Sequence, residues 1–213
     1  MSILNFQKPD KILLQKATDF HGQFEFKPLE PGFGQTIGNS LRRILLSSLE
    51  GYAISAIRIA GVDHEFSSIP GVVEDVVDII LNIKQIRLKS AVKGDKATEH
   101  QIYITISGQD EFRAKDIESR TNMFKVMNPE LLICKMEPSV NLELEMTITK
   151  GRGYVPAEEN MPESAPIGVI PVDAIYTPLK KVSYHVSNTR VGQRTDYEKL
   201  SIEVETDGTI HPE

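Results

Sequence analysis

One stretch near the start of the chain, residues 32–49, restricts the possible folds more than any other. Its apolar residues follow the i, i+4, i+7, i+8 spacing of an amphipathic helix, and glycines stand before and after it. At about 100° per residue these side chains cover an arc of roughly 200°, about twice the stripe that one core contact requires. The arc contains Ile37, Leu41, Ile44, Leu45, Leu46 and Leu49. The sequence therefore predicts a helix with apolar surface left over for a second contact.

Two interpretations of this wide apolar face remain open from the residues alone. The helix could be buried on several sides within its own domain, or a partner could cover the apolar surface that its own domain does not. Burial of each Leu or Ile side chain is worth roughly 1.5–3 kcal/mol of stabilising free energy, which an exposed side chain does not contribute. Complete burial would also desolvate Arg42, at the edge of the arc, and Arg43, on its far side. We therefore interpret the segment as a two-sided helix. Arg43 is then either a polar contact or an ordinary solvated charge.

Composition narrows the classes of protein that this chain can represent. With 213 residues, 40% of them hydrophobic, it can bury one good core or two small ones. The sequence contains neither a signal-peptide pattern nor an apolar run long enough to span a membrane, which predicts a cytoplasmic protein. A net charge of −6 without a basic block argues against direct nucleic-acid binding by this segment and favours protein partners. The single cysteine, Cys134, lies in an apolar run and is expected to be buried.

The remaining pattern predicts an α+β fold with few helices and many antiparallel strands. A hairpin is expected within residues 11–29, with Phe24 and Phe26 on one face. A second helix is expected at about 72–86, and residues 151–166 are too rich in Gly and Pro for regular structure, which predicts a long loop or a domain seam. Further strands are predicted at 53–59, 86–89, 101–106, 141–148, 181–186 and 199–205, with 141–148 alternating most cleanly.

A search for catalytic chemistry finds little in the sequence. The glycines from Gly32 to Gly38 invite comparison with a phosphate-binding loop, but the spacing misses the dinucleotide fingerprint by one residue and no βαβ pattern surrounds it. A tight turn and close helix packing explain these glycines better. The five histidines are scattered without zinc-ligand spacing, and Asp75 and Asp78 suit a solvated helix face. We therefore predict no metal, cofactor or catalytic site in this chain.

Four motifs in order along the chain carry a resemblance to a known family. They are residues 30–48 (EPGFGQTIGNSLRRILLSS), 61–67 (GVDHEFS), 150–157 (KGRGYVPA) and 193–196 (QRTD). Together they resemble the N-terminal domain of the bacterial DNA-directed RNA polymerase alpha subunit, and the resemblance extends over essentially the whole chain. It implies a homodimeric assembly scaffold that binds the beta subunit first and beta-prime second. The chain would then be a non-catalytic subunit of a nucleotidyltransferase, whose magnesium is held by the large subunits.

The same resemblance implies two lobes, the second inserted into the first. Residues 1–50 and 179–213 would form the dimerisation lobe, and residues 51–178 the inserted lobe that contacts the large subunits. The implied dimer-interface residues are Phe33, Ile37, Leu41, Ile44, Leu45 and Leu49. The implied beta or beta-prime contacts are Arg43, Asn39, Arg42, Asp78, Lys84, Arg152 and Val172. Taken singly, each of these contact residues also has an ordinary explanation as a surface charge, a loop salt bridge or, for Val172, a core side chain.

Family members continue beyond this point with a further helix, and Pro212 would suit the first turn of such a helix. Two alternatives to the scaffold stay open. One is a homodimeric adaptor unrelated to transcription. The other is a nucleotide-binding enzyme that uses the Gly32–Gly38 loop.

Overall fold

The computed structural model describes residues 9, 11–92, 97–161 and 165–212. Its strands and helices alternate irregularly along the chain, with most helices short. In order they are β1 (Lys11–Ala17), β2 (His21–Leu29), α1 (Phe33–Ser48), β3 (Glu50–Ile59), α2 (Val76–Ile83), β4 (Leu88–Ser90), β5 (Glu99–Ser107), β6 (Glu111–Arg113), α3 (Ala114–Arg120), β7 (Phe124–Val126), β8 (Leu132–Lys135), β9 (Asn141–Arg152), β10 (Tyr154–Val155), α4 (Ala157–Asn160), β11 (Val169–Pro171), β12 (Ala174–Ile175), β13 (Leu179–Val191) and β14 (Arg194–Thr206).

The chain divides into two compact units, and the second is inserted between the two parts of the first. Unit 1 comprises Met1–Leu49 and Thr177–Glu213, and unit 2 comprises Glu50–Tyr176. Neighbouring strands in the described sheets pair antiparallel. The predicted α+β class, with mostly antiparallel strands and few helices, is confirmed.

Unit 1 is a four-stranded sheet with one long helix on its face. The strand order is β1-β2-β14-β13, and α1 packs on β13 and β14. The core of this unit is made by Leu29, Leu179, Val182, Leu200, Ile202 and Val204, with Phe24 and Phe26 packed against it. The predicted hairpin with both phenylalanines on one face is confirmed, and so is the first helix.

Unit 2 is built around a sheet of order β5-β9-β3-β4-β7, with β11 paired to β3. In β9, Leu142, Leu144, Met146 and Ile148 are buried and alternate with more exposed residues. This confirms the predicted half-buried antiparallel strand. The buried faces of α2 and α3 join the same core through Val76, Ile79, Ile83 and Ile117.

The second helix is shorter than predicted, because the residues before it bond to another part of the chain. Asp75 caps the helix, and its side chain accepts the N–H of Asp78 at 2.9 Å. Val72 forms a β-bridge with Met136, and the N–H of Val73 donates to the carbonyl of Lys135 at 2.9 Å. Val73 is 77% exposed. The helical periodicity of residues 72–75 is therefore overridden by strand-like pairing.

The prediction that residues 151–166 lack regular structure is wrong for much of this segment. Strand β9 extends to Arg152, β10 pairs with β12, and α4 follows. Two glycines make this possible. Gly153 adopts φ 64°, which suits a turn between two short strands, and a Cβ on Gly151 would lie 2.7 Å from the ring of Tyr176. Residues 162–164 lie outside the described residues.

Candidate subunit interfaces

Helix α1 lies against the β13–β14 hairpin in a regular register. A Cβ on Gly34 would lie 2.8 Å from Val186, and a Cβ on Gly38 would lie 2.5 Å from the ring of Tyr184. One helical turn later, the Nε of Arg42 donates to the carbonyl of Val182 at 3.1 Å. Four helical residues advance about 6 Å and two strand residues about 6.6 Å, so the two repeats match. The predicted role of these glycines in close helix packing is confirmed.

The first turn of α1 is held by a carboxylate on strand β14. Glu198 on β14 accepts the N–H of Gly32 through Oε1 and the N–H of Gly34 through Oε2, both at 2.8 Å. Gly32 is the N-cap residue and has no side chain to cap the helix itself. A negative group also suits the positive end of a helix. Glu198 could not be identified from the sequence, because it lies 166 residues from Gly32 and 164 residues from Gly34 and no local pattern connects them.

The same geometry decides the question of a phosphate loop. A phosphate at Gly32–Gly38 would need the backbone N–H groups at the start of the helix. The N–H groups of Gly32 and Gly34 already donate to Glu198, and an anion in their place would also face the charge of that carboxylate. The structure therefore contradicts the alternative of a nucleotide-binding enzyme that uses this loop.

The polar residues of the α1 motif have different surroundings. Arg42 is tied to its own sheet through Val182, as described above. Asn39 and Arg43 are exposed and lie four residues apart, so they share one face of the helix. The backbone carbonyl of Arg43 accepts the hydroxyl of Ser47 at 2.8 Å, and the residue itself is exposed.

The wide apolar arc of α1 is shared between the core of unit 1 and its surface. Ile37, Leu41, Leu45, Leu46 and Leu49 are half-buried against the core. Phe33 and Ile44 are 42% and 56% exposed. The first interpretation, a helix buried on several sides within its own domain, is therefore wrong for the described residues. Apolar surface remains on α1, as the two-sided interpretation predicts.

Next to α1 the sheet leaves an open apolar groove of about 380 Å³. Helix α1 packs on β13 and β14, and the groove beside it is lined by residues from all four strands of the sheet. Its walls are Leu41, Leu45 and Leu49 from α1, with Ile12, Phe24, Phe26, Leu179, Ile202, Val204, Ile210, His211 and Pro212 from the rest of unit 1. Three of the predicted dimer-interface residues therefore line one continuous apolar surface.

In unit 2, the predicted contact residue Lys84 pairs with the carboxylate of Asp173, which directly follows a second predicted contact, Val172. The Nζ of Lys84 lies 3.5 Å from Oδ2 of Asp173, and Oδ1 of Asp173 accepts the N–H of Ala157 at 2.9 Å. The N–H of Ala157, the hydroxyl of Tyr154 and the charge of Lys84 hold the pKa of Asp173 below its usual value. Val172 precedes Asp173 in the chain but is only 1% exposed. Its side chain belongs to the core, so the structure contradicts a direct side-chain contact by Val172 with another subunit.

The other two predicted contacts of unit 2 are on the surface. Asp78 is exposed near the start of α2. The Nη2 of Arg152 lies 2.7 Å from Oε1 of Glu50, and the Nζ of Lys150 lies 2.7 Å from Oε2 of the same residue. Hydrogen bonds and charge from Arg152 and Lys150 lower the pKa of Glu50 to about 2. Arg152 is thus oriented by an ion pair while most of its side chain stays in solvent.

The described residues also bear on metal, thiol and membrane chemistry. Across residues 11–92, 97–161 and 165–212, no cluster of three or more His, Cys, Asp or Glu side chains is placed to hold a metal ion. Cys134 is buried as predicted, and desolvation raises the pKa of its thiol to about 12. In the same part of the chain, none of the helices has the length and apolar content to cross a bilayer.

Comparisons with known proteins agree with the motifs. Residues 57–177 match the family model described as the RNA polymerase Rpb3/RpoA insert domain. The chain is 59% identical over 213 residues to a DNA-directed RNA polymerase subunit alpha from Cytophaga hutchinsonii. It is 56% identical over 212 residues to proteins of the same name from Flavobacterium psychrophilum and Bacteroides thetaiotaomicron. Each alignment covers 100% of this chain and 64% of the relative, so the chain spans just under two thirds of their length.

Proposed function

The chain belongs to the RNA polymerase Rpb3/RpoA insert-domain family, and from this premise we propose that it is the scaffold on which an RNA polymerase assembles. In this proposal two copies form a homodimer through unit 1, and the dimer binds the beta subunit and then beta-prime. The observation that carries the proposal is 59% identity to a polymerase alpha subunit over all 213 residues. The chain itself supplies no catalytic group, and nucleotide addition, with its magnesium, belongs to the large subunits.

The surface of unit 1 supports a role in dimerisation. The groove beside α1 is walled by Leu41, Leu45 and Leu49 and by apolar residues of the sheet. Phe33 and Ile44 add exposed apolar area on the same helix. A surface of this kind costs free energy in water, and a second copy that covers it recovers roughly 25 cal/mol for each Å² of apolar surface buried.

The contacts with the large subunits are proposed for the polar residues that the fold leaves accessible. On α1 these are Arg43 and Asn39, together with Arg42, which is also exposed although its Nε donates to Val182. In unit 2 they are Asp78, Lys84 and Arg152, of which the last two are oriented by ion pairs with Asp173 and Glu50. Arginine is enriched among the residues that dominate binding energy, because its planar guanidinium forms several directed hydrogen bonds. Arg43 is therefore the contact that we propose to carry most of the affinity for beta.

A mass measurement tests the scaffold directly. The chain is run on a sizing column with light-scattering detection, first alone and then with purified beta subunit. The proposal predicts a dimer alone and a complex of two copies with one beta. Leu45→Glu is the variant designed to disrupt the dimer, because it places an unpaired charge in the half-buried apolar surface. This variant is expected to remain largely monomeric.

The possible results separate the remaining alternatives. A dimer that does not bind beta would support a homodimeric adaptor unrelated to transcription. A chain that neither dimerises nor binds beta would refute the scaffold. A Leu45→Glu chain that dimerises like the wild type would show that the groove beside α1 is not the dimer surface.

A further inference from the structure

The start of α1 is joined to its own sheet by a long-range contact with a carboxylate. The backbone N–H groups in the first turn of any helix have no partner within the helix. In α1, two N–H groups of this region, those of Gly32 and Gly34, donate to the two carboxylate oxygens of Glu198, each at 2.8 Å. Hydrogen bonds to an ionised acceptor are roughly twice as strong as neutral ones. The start of the helix is thus fixed from β14 by a bidentate contact.

The contacts that follow Glu198 repeat along the strand. Glu198 and Leu200 lie two residues apart on β14 and therefore face the same side of the sheet. Gly34 lies over Glu198, and Gly38, one turn later, would place a Cβ 2.9 Å from Leu200. Glycines at these two positions let the helix lie close to the hairpin, but a glycine contact is apolar and weakly directional. The directional contacts at this end of α1 are the two hydrogen bonds to Glu198 and the one from Gln35 to the hydroxyl of Tyr184, and of these acceptors only Glu198 is a carboxylate.

A small movement of the first turn would displace the rest of the helix as well. A helix of 16 residues is about 24 Å long, and a tilt of about 10° around its centre moves each end by about 2 Å. Binding sites require their side chains to be held within roughly 0.5 Å. Arg43 and the groove residue Leu45 lie in the second half of α1, and the groove residue Leu49 directly follows the helix, so their placement depends on how the first half is anchored.

We propose that Glu198 is a positioning residue of the subunit interface, which sets where α1 lies along the β13–β14 hairpin and thereby where it presents Arg43 and its apolar residues. The inference rests on the proposed scaffold function. It assigns to Glu198 no contact with a partner subunit. The carboxylate acts through α1, and its loss lowers affinity for partners while the chain remains folded.

The test replaces Glu198 by glutamine, which keeps the volume but turns one acceptor oxygen into an NH₂ group that cannot accept a second N–H. Glu205→Gln on the same strand, at an exposed position, is the matched control for loss of charge. Glu198→Asp keeps the charge on a shorter side chain and serves as the second variant if the glutamine variant does not fold. Folding is verified for each variant by circular dichroism.

Three measurements are made on each protein. Hydrogen exchange of a peptide covering residues 32–38 is expected to become at least tenfold faster in Glu198→Gln and to stay unchanged in Glu205→Gln. The dimer dissociation constant and the affinity for beta are expected to weaken about tenfold in Glu198→Gln, with a smaller effect in Glu198→Asp. In the double variant Glu198→Gln/Arg43→Ala, the effects on beta affinity should be less than additive, because both act through Arg43.

The outcomes distinguish this inference from the proposed function. If the wild-type chain binds beta and the Glu198→Gln variant dimerises and binds beta with the same affinities as the wild type, the positioning role alone is refuted. This holds even if the variant is less stable to urea. Unchanged hydrogen exchange in Glu198→Gln would also refute it, because the first turn would then not depend on the carboxylate. A wild-type chain that neither dimerises nor binds beta would refute the proposed function, and this inference with it.

Discussion

Replacing Gly38 by alanine tests how tightly α1 is packed on the hairpin. The added methyl group would lie 2.5 Å from Cδ2 of Tyr184 and 2.9 Å from Cδ1 of Leu200, well inside van der Waals contact. The ring of Tyr184 cannot swing away freely, because its hydroxyl accepts a hydrogen bond from Nε2 of Gln35, on α1 itself, at 2.7 Å. Relief of the overlap therefore requires the ring and the helix to move apart, which strains their packing and also breaks that hydrogen bond.

The expected magnitude follows from opposing effects. Overpacking of a close contact costs about 1–3 kcal/mol, and loss of the Gln35–Tyr184 hydrogen bond about 0.5–1.5 kcal/mol. Alanine in place of glycine favours the helix by about 1 kcal/mol. We expect Gly38→Ala to lower the free energy of unfolding by about 2 kcal/mol.

The assay is urea unfolding followed by far-UV circular dichroism. Protein concentration is matched between variants, because association would shift the apparent stability. Ser40→Ala is the control, since Ser40 is exposed on the same helix, and its unfolding free energy should stay equal or rise slightly. A Gly38→Ala protein as stable as the wild type would refute the argument, because it would show that the methyl group is accommodated without strain.

Two further predictions concern charged residues. Arg43→Ala should change the free energy of unfolding by less than about 0.5 kcal/mol yet weaken beta binding by about 2 kcal/mol, or roughly 30-fold. Arg42→Ala, which loses the bond to Val182, should instead destabilise the fold by about 1 kcal/mol. Titration of labelled beta with each variant decides the matter, and unchanged affinity in Arg43→Ala would contradict the proposed contact. The lowered pKa of Glu50 means that its ion pairs stabilise the fold above pH 4.5 and are lost as the pH falls through about 2. An NMR titration should show the Glu50 carboxyl titrating with a midpoint near pH 2. Arg152→Ala should raise this midpoint. A midpoint near 4.5 in the wild type would show that Glu50 is not paired in solution.

Much of the fold was predictable because strands and helices leave different periodicities in a sequence. The alternation in β9 and the i, i+4 spacing in α1 identified both elements, and the two phenylalanines of β2 indicated its buried face. The failures share a cause. Residues 72–75 look helical in isolation, but Val72 and Val73 bond to Met136 and Lys135 some 60 residues away. A local pattern carries no information on such a partner.

At the candidate interfaces too, local patterns in the sequence were informative, whereas contacts between distant residues were not predictable. The residues of α1 predicted that apolar surface would exceed the needs of one core, and the motifs of the chain indicated the family. The sequence placed Arg42 at the edge of the apolar arc and Arg43 on its far side, but only the structure shows that Arg42 donates to the carbonyl of Val182. The sequence also placed Val172 among the contacts, whereas the fold buries that side chain.

By itself, the sequence determined the class of fold, the main helix and strands, and the family, because these depend on periodicity and on motifs that are continuous in the chain. Only the tertiary structure decided which part of the apolar arc of α1 faces its own sheet and which part lines a groove. It also brought Glu198 to Gly32 and Gly34 across more than 160 residues. The physical reason is that burial and hydrogen bonding are properties of a side chain's neighbours in space, and most of those neighbours are distant in sequence.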